Sequence, residues 1–266
     1  MSMPPAPQQA VARETGTLRL MPTIAASGEV QMAVDDGLLD DAALDDAQLE
    51  GAPLVMARRY VWTPPALSLG KFQRVAGLSA AGALPFDVVR RPSGGRAVLH
   101  GEGFEWSFAV VFSPGTLPGR RVDDAYEVVS AALAEALGAA GLDLDEGRTK
   151  PYRSSALCFA SGLRHDLFAG AGKVAAVAQV RRGGAALVHG SVLERRPPDD
   201  LVAAVERLLG EPWQGEGLVA ARLASAAPAS ARLASARLAE VAAPDGEAVW
   251  AVFVRGLADA LGCAAP

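Results

Sequence analysis

Arg90-Arg91-Pro92-Ser93-Gly94-Gly95-Arg96-Ala97-Val98-Leu99-His100 sets two adjacent arginines, a glycine pair and a histidine between two apolar, strand-like runs. Gly94 and Gly95 let the backbone take positive φ and approach a ligand with no Cβ in the way. Arg91 and Arg96 offer forked donors suited to a carboxyl, phosphate or thioester-linked head group. The alternative from these residues alone is a β-hairpin with a Gly-Gly turn and two solvated arginines.

Outward from this loop, residues 86–90 and 105–112 read as its flanking strands, with Phe108, Val110 and Phe112 alternating in the second. Residues 122–140 place Tyr126, Val129, Leu133 and Leu137 at helical spacing. A turn over 168–172 leads into a strand over 173–181, which returns through Gly183-Gly184 to a strand over 186–193. Pro197-Pro198-Asp199-Asp200 opens a helix through Leu209, with Asp in its capping region. Towards the N-terminus, residues 29–50 read as a helix, and 55–62 as a strand stopped by Pro64-Pro65. Near the C-terminus, Val249, Trp250, Phe253 and Leu257 line one face of a last helix. This order predicts an α+β fold: a mixed, largely antiparallel β-sheet whose hairpins are covered by helices.

The chain has 266 residues, half of them apolar, which is ample for a core. Few aromatics and abundant alanine predict an aliphatic core with closely approaching helices. A formal net charge of −5 argues against a nucleic-acid partner and against an electrostatic membrane dock. Cys158 and Cys263 are too few for a disulfide framework or a cysteine-rich metal site, no His, Cys and carboxylate set has metal-ligand spacing, and no Walker-type loop occurs, so no metal and no cofactor is expected. No apolar run is long enough to span a bilayer, and the N-terminus lacks the apolar core of a signal peptide, so a cytoplasmic protein is expected. The expected organisation is a disordered lead-in over 1–20, a catalytic domain over 21–215 and an alanine-rich helical extension over 216–266 packed on it. In that extension the phrase Ala-Arg-Leu-Ala-Ser-Ala occurs at 221 and again at 231, a local duplication.

Further segments stand in register with the loop: Gln31-Met32-Ala33-Val34-Asp35-Asp36, Ser68-Leu69-Gly70-Lys71-Phe72-Gln73, Asp166-Leu167, Gly172-Lys173-Val174-Ala175, Ala178-Gln179 and His189-Gly190-Ser191-Val192-Leu193. In this order and spacing, over about residues 28 to 210, they resemble the biotin/lipoate protein ligase superfamily, most closely its octanoyltransferases. The resemblance implies a biotin/lipoate protein ligase-like catalytic domain. Two departures bear on the pocket: Ala176-Val177 stands where the family usually has Gly-Ser, and Trp106-Ser107 replaces Tyr-Ser. Both imply a pocket tighter or differently shaped than in relatives.

Cys158, taken alone, reads as a buried small hydrophobe. By resemblance, Cys158-Phe159 matches the nucleophilic cysteine of the octanoyltransferases that work from acyl carrier protein, and Arg96 stands where the lipoate-activating ligases carry a third glycine. Lys173 alone reads as a solvated lysine at a hairpin end. The resemblance places it at the acyl carbonyl, where an ammonium close to a thiol favours the thiolate and can hold a developing oxyanion. His100 and His189 fall near the implied pocket, each either a proton shuttle or a structural, hydrogen-bonded histidine, and His165 reads as surface. Catalytic roles are therefore expected of Cys158 and Lys173, and substrate contacts of Arg91, Ser93, Gly94, Gly95, Arg96, His100 and His189.

The resemblance implies transfer of octanoyl from acyl carrier protein through a Cys158 thioester to a lysine of a lipoyl domain or glycine-cleavage H protein, in lipoate synthesis. Two alternatives remain open at this stage. One is an ATP-dependent lipoate or octanoate ligase, in which Arg91 and Lys173 meet the phosphate; the other is a silent paralogue that binds acyl groups or lipoyl domains.

Overall fold

The computed structural model describes residues 16–44, 54–80, 82–117, 121–146, 154–170, 172–215, 217 and 245–263. Its main sheet has eight strands in the order β1 (Thr17–Leu20), β3 (Leu54–Trp62), β7 (Glu105–Phe112), β11 (Ala185–Leu193), β10 (Gly172–Arg182), β9 (Leu167–Ala169) and β8 (Asp145–Glu146), with β2 (Ile24–Ala26) also paired to β3. The pairs from β3 through β7, β11, β10, β9 to β8 are antiparallel, and β1 and β2 join β3 in parallel. The α+β architecture expected from sequence is the one observed.

β7 lies at the centre, and all eight of its residues are buried. Because successive side chains in a strand point to opposite faces, Trp106, Phe108, Val110 and Phe112 meet α2 (Val122–Ala139) and α4 (Gly246–Leu261). Ala109 and Val111 meet α1 (Gly28–Leu44) on the other face. This core is mainly aliphatic, as expected, and carries a small aromatic group: Trp106, Phe108, Trp250 and Phe253 contact one another with ring centroids 5.1–6.5 Å apart. Each fully buried phenylalanine contributes about 1.5–3 kcal/mol. Alanine and glycine act where the helices cross, and a Cβ on Gly256 of α4 would lie 3.2 Å from the Cβ of Ala132 in α2.

Several boundaries differ from the sequence reading. Residues 17–20, expected within the disordered lead-in, form β1, whose backbone is satisfied by β3 from Thr17↔Leu54 to Leu20↔Ala57. Residues 1–15, the far end of the first expected helix beyond Leu44, and the repeated phrase at 221–236 lie outside the described residues. α3 (Asp199–Leu209) is capped by the backbone of Pro198 and not by an aspartate side chain. Asp199 and Asp200 sit in its first turn, where they complement the helix dipole. Gly210, at φ 71°, ends it.

The hairpin reading of the arginine-glycine loop is overturned by a second, three-stranded sheet. In it β4 (Ala66–Leu69) lies between β5 (Asp87–Arg90) and β6 (Val98–His100), parallel to the first and antiparallel to the second. β5 and β6 therefore never pair, and the loop crosses the end of β4 to join them. α3 packs on this sheet through Leu201, Val202, Val205 and Leu208. No helix among the described residues is long and apolar enough to cross a membrane.

Candidate active site

Arg91 holds the loop in shape with its own side chain. Its Nε and Nη2 donate to Gly94 O at 3.1 and 2.8 Å, Nη2 donates to Arg96 O at 2.7 Å, and Nη1 donates to Ser68 O and Oγ at 3.0 and 3.2 Å. Every donor nitrogen thus serves the protein, and burial lowers its pKa from the usual arginine value. The forked donors expected to meet a ligand organise carbonyls, although the side chain borders the cavity. Only one of the two glycines needs its freedom: Gly95 sits at φ 99°, whereas Gly94 has ordinary φ and open space where a Cβ would go. Across from Gly95 O, a Cβ on Gly70 would lie 2.1 Å away, so that glycine permits the loop to dock on the end of β4.

Cys158 opens a short 3-10 turn, Cys158–Ala160, directly beside this loop. Its N–H donates to Ala97 O at 2.9 Å, and Ala97 N–H donates to Ala156 O at 2.9 Å. The half-buried thiol faces Lys173, whose Nζ donates to Sγ at 3.6 Å and to Asp166 Oδ2 at 2.7 Å. Lys173 is 1% exposed and Asp166 1%. Asp166 also accepts from Leu163 N–H at 2.7 Å. Burial pulls the Lys173 ammonium toward neutrality, but the charges of Cys158 and Asp166 outweigh it and hold its pKa above the ordinary lysine value.

Lys173 reaches this position through a β-bulge. Pairing of β10 with β9 passes from Lys173↔Phe168 to Ala175↔Leu167, so Val174 is an extra residue. Val174 and Ala175 both enter the α2–α4 core, which leaves Lys173 and Ala176 on the opposite, pocket-bearing face. Strict alternation would have aimed Lys173 into the core.

The thiol borders a mainly apolar cavity of about 180 Å³. Gly95 and Leu163 are exposed at its outer end, and Tyr60, Trp62, Ser107 and Ser191 close the inner end. Ala176 and Val177 line it as the sequence departure implied; Trp106 does not, because it points to α4 on the other face. Gly94, Gly95, Arg96, His100 and His189 border the cavity, whereas Ser93 is fully buried behind it.

Both histidines are held in buried networks. His189 Nε2 lies 2.6 Å from Ser93 Oγ, and its Nδ1 lies 2.9 Å from Asp35 Oδ2. The Asp35 carboxylate also accepts from Arg58 Nε at 2.8 Å and from Tyr60 Oη at 3.1 Å. A carboxylate can only accept, so His189 Nδ1–H donates to Asp35. Burial first, then the charge of Asp35, raises Tyr60 well above the usual phenol value, so its hydroxyl remains a donor. His100 lies flat on Trp62, with ring centroids 4.0 Å apart and planes 10° from parallel. Its Nε2 is 2.8 Å from Ser68 Oγ, and Nδ1 is 3.4 Å from Glu105 Oε1. His165, read from sequence as surface, is partly buried and stacks on Tyr126.

Burial lowers the pKa of His100, against an opposing pull from Glu105. The unfolded chain takes up a proton at this residue near pH 6.5, which the folded protein resists. The stability His100 contributes is therefore full above about pH 6.5 and lost as pH falls through that value toward the lower folded pKa. Urea midpoints measured from about pH 7.5 down to about pH 5.5 should fall less steeply for His100→Asn than for the wild type. His165 is depressed in the same sense, so the difference between the two slopes is the test. Equal slopes would contradict the assignment.

Asp35 and Asp166 stood in the motif set without an assigned role, and Arg58, Glu105 and Glu211 were missed. One signal was present: Arg58 occupies an inward position of β3, between Met56 and Tyr60, where a charge requires a buried partner.

A mixed sheet carrying a pocket beneath an arginine-glycine loop, with a cysteine and a lysine in contact at its side, defines a protein of the lipoyl ligase and acyltransferase class. The chain belongs to the lipoyl protein ligase A/B catalytic domain family, whose model matches residues 28–209. It is 35% identical over 199 residues to octanoyltransferase LipM of Kyrpidia tusciae, covering 71% of this chain and 70% of the relative. With octanoyltransferase LipM of Symbiobacterium thermophilum it shares 35% over 215 residues, 77% and 73% of the two chains. A solved structure of a Thermoplasma acidophilum protein described as a putative lipoate protein ligase, Ta0514, shares the fold with a TM-score of 0.58 at 20% identity, over 94% of this chain and 87% of that one.

Proposed function

We propose that this protein is an octanoyltransferase of lipoate synthesis that takes octanoyl from a thioester of acyl carrier protein and delivers it to a lysine amine of a lipoyl domain or glycine-cleavage H protein. The observation that carries this reading is the Cys158–Lys173 contact, 3.6 Å long, opening on an apolar cavity. In the first step Cys158 Sγ attacks the thioester carbonyl, a new C–S bond forms, the carrier's C–S bond breaks, and the carrier leaves as a thiol with the proton Cys158 gave up. One thioester replaces another, so no outside energy source is required. In the second step the uncharged acceptor amine attacks the acyl-enzyme carbonyl, a C–N bond forms, the acyl C–S bond to Cys158 breaks, and the proton lost by the amine returns Cys158 to a thiol. The Lys173 ammonium, fixed by Asp166, lies where negative charge develops in both steps. Arg91, Ser93, Gly94, Gly95, Arg96, His100 and His189 shape the wall of the acyl site in this reading, Ser93 from behind it.

The commitment of Arg91 to protein carbonyls supports the transferase over an ATP-dependent ligase, which would draw on those donors for phosphate. Two donor mixtures offered in parallel to a lipoyl domain decide between them. Octanoyl carrier protein without nucleotide should give octanoylated acceptor, while octanoate with ATP and magnesium should give little. The reverse pattern would replace the transferase by a ligase.

A further inference from the structure

The loop that presents Cys158 is tied down by a carboxylate from the far end of α3. Glu211 follows the left-handed Gly210 that ends this helix, just beyond the span matched by the family model. Its Oε1 and Oε2 each lie 3.0 Å from Ala156 N, and Oε2 also accepts from the Ser155 hydroxyl. Ser155 Oγ in turn accepts from Leu157 N–H at 3.0 Å, and Cys158 N–H reaches Ala97 O. The backbone N–H groups of 156, 157 and 158 are thus satisfied in succession, with Glu211 at the root of the series. On the other side Gln73 Nε2 donates to Ala156 O at 2.9 Å, and Phe159 is buried in one apolar cluster with Trp213, two residues beyond Glu211.

From this geometry we infer that Glu211 is a positioning residue for the nucleophile: its carboxylate fixes the 155–157 backbone so that Cys158 Sγ is held in contact with Lys173. The reason lies in what each end of the contact is attached to. Lys173 is locked by the bulge and by Asp166, so the distance between thiol and ammonium depends on the Cys158 loop, whose described residues 154–157 belong to no strand or helix and meet the second sheet only through an isolated bridge from Leu157 to Ala97. A carboxylate offers two charged oxygens to the Ser155 hydroxyl and the Ala156 N–H, whereas the amide of the same length offers a single uncharged oxygen and replaces the other acceptor by an NH2 donor. The role rests on the proposed transferase reading for its effect on turnover, but its effect on the thiol is independent of that reading.

The test uses full-length protein carrying Glu211→Ala, Glu211→Gln or Ser155→Ala, with rates referred to the thiol titrated in folded protein. In Glu211→Ala, alkylation of Cys158 by iodoacetamide at neutral pH and octanoylation from octanoyl carrier protein should both slow on the order of ten-fold, because a small displacement of a reacting atom has a large kinetic effect. KM for the carrier protein should change little, and the alkylation rate–pH profile should move toward that of Lys173→Ala. Glu211→Gln should recover part of the loss, and Ser155→Ala should show a smaller loss of the same kind. Wild-type rates per titrated thiol in folded Glu211→Ala, or a loss that only follows the unfolded fraction, would overturn the proposal. If Glu211→Ala does not fold, Ser155→Ala decides, and unchanged per-thiol alkylation in it counts against the proposal. A wild type that is never octanoylated would refute the transferase reading, while the alkylation rates would still decide the role of Glu211.

Discussion

Cys158→Ala should keep the fold and lose octanoyl transfer by roughly 10³-fold or more, the scale on which removal of a nucleophile acts. The thiol is only half-buried, and among the described residues its one side-chain hydrogen bond is with Lys173. The turn around it is held through the backbone by Ala97 O and by Ser161, whose N–H donates to Cys158 O at 3.1 Å, and alanine retains both bonds. The thermal midpoint should therefore move by only a few degrees, which for a domain of this size corresponds to about 1 kcal/mol. Cys263→Ala should leave transfer unchanged. A Cys158→Ala protein with transfer within ten-fold of wild type would remove the thiol from the reaction.

Lys173→Ala should have the second largest effect, and it should act on activity and on stability for different reasons. Loss of a donor from the site where charge develops costs on the order of 10²–10³-fold in rate. Loss of the ammonium also leaves Asp166, 1% exposed, without its charged partner, a change that costs about 3–5 kcal/mol when a buried pair is broken on one side. The two effects separate in the double variant Lys173→Met, Asp166→Asn. It should regain most of the stability, since no unpaired buried charge remains, and none of the transfer. Alkylation of Cys158 at neutral pH should be slow in both variants. Recovery of transfer together with stability would show that Lys173 supports the fold and nothing more.

The central strands were legible because their patterns are local. Glu105–Phe112 reads as a strand from its own alternation, and Val122–Ala139 as a helix from the spacing of Tyr126, Val129, Leu133 and Leu137. β6 was not legible: Val98–His100 is three residues long and buried on every side, so it has no alternation to read. Nor was the parallel addition of β1, since nothing in Thr17–Leu20 records that its partner begins at Leu54. In the site, Cys158 and Lys173 were named from their place in an ordered set of motifs. Their contact depends on a one-residue bulge at Val174, which leaves no mark in composition or periodicity. Arg91 was misread as a ligand donor because an arginine beside two glycines looks alike in sequence whether its donors face outward or into the loop. Asp35 and Arg58 stand 23 residues apart, and only the packing of α1 on β3 brings them within 2.8 Å.

Intact-protein mass spectrometry after mixing the protein with octanoyl carrier protein, in the absence of nucleotide, tests the central claim most directly. The account predicts a single octanoyl adduct on the wild type that is released by hydroxylamine, maps to Cys158, disappears in Cys158→Ala and is discharged when a lipoyl domain is added. An adduct that persists in Cys158→Ala or maps to Cys263 would contradict it. So would ligation from free octanoate and ATP that survives Cys158→Ser.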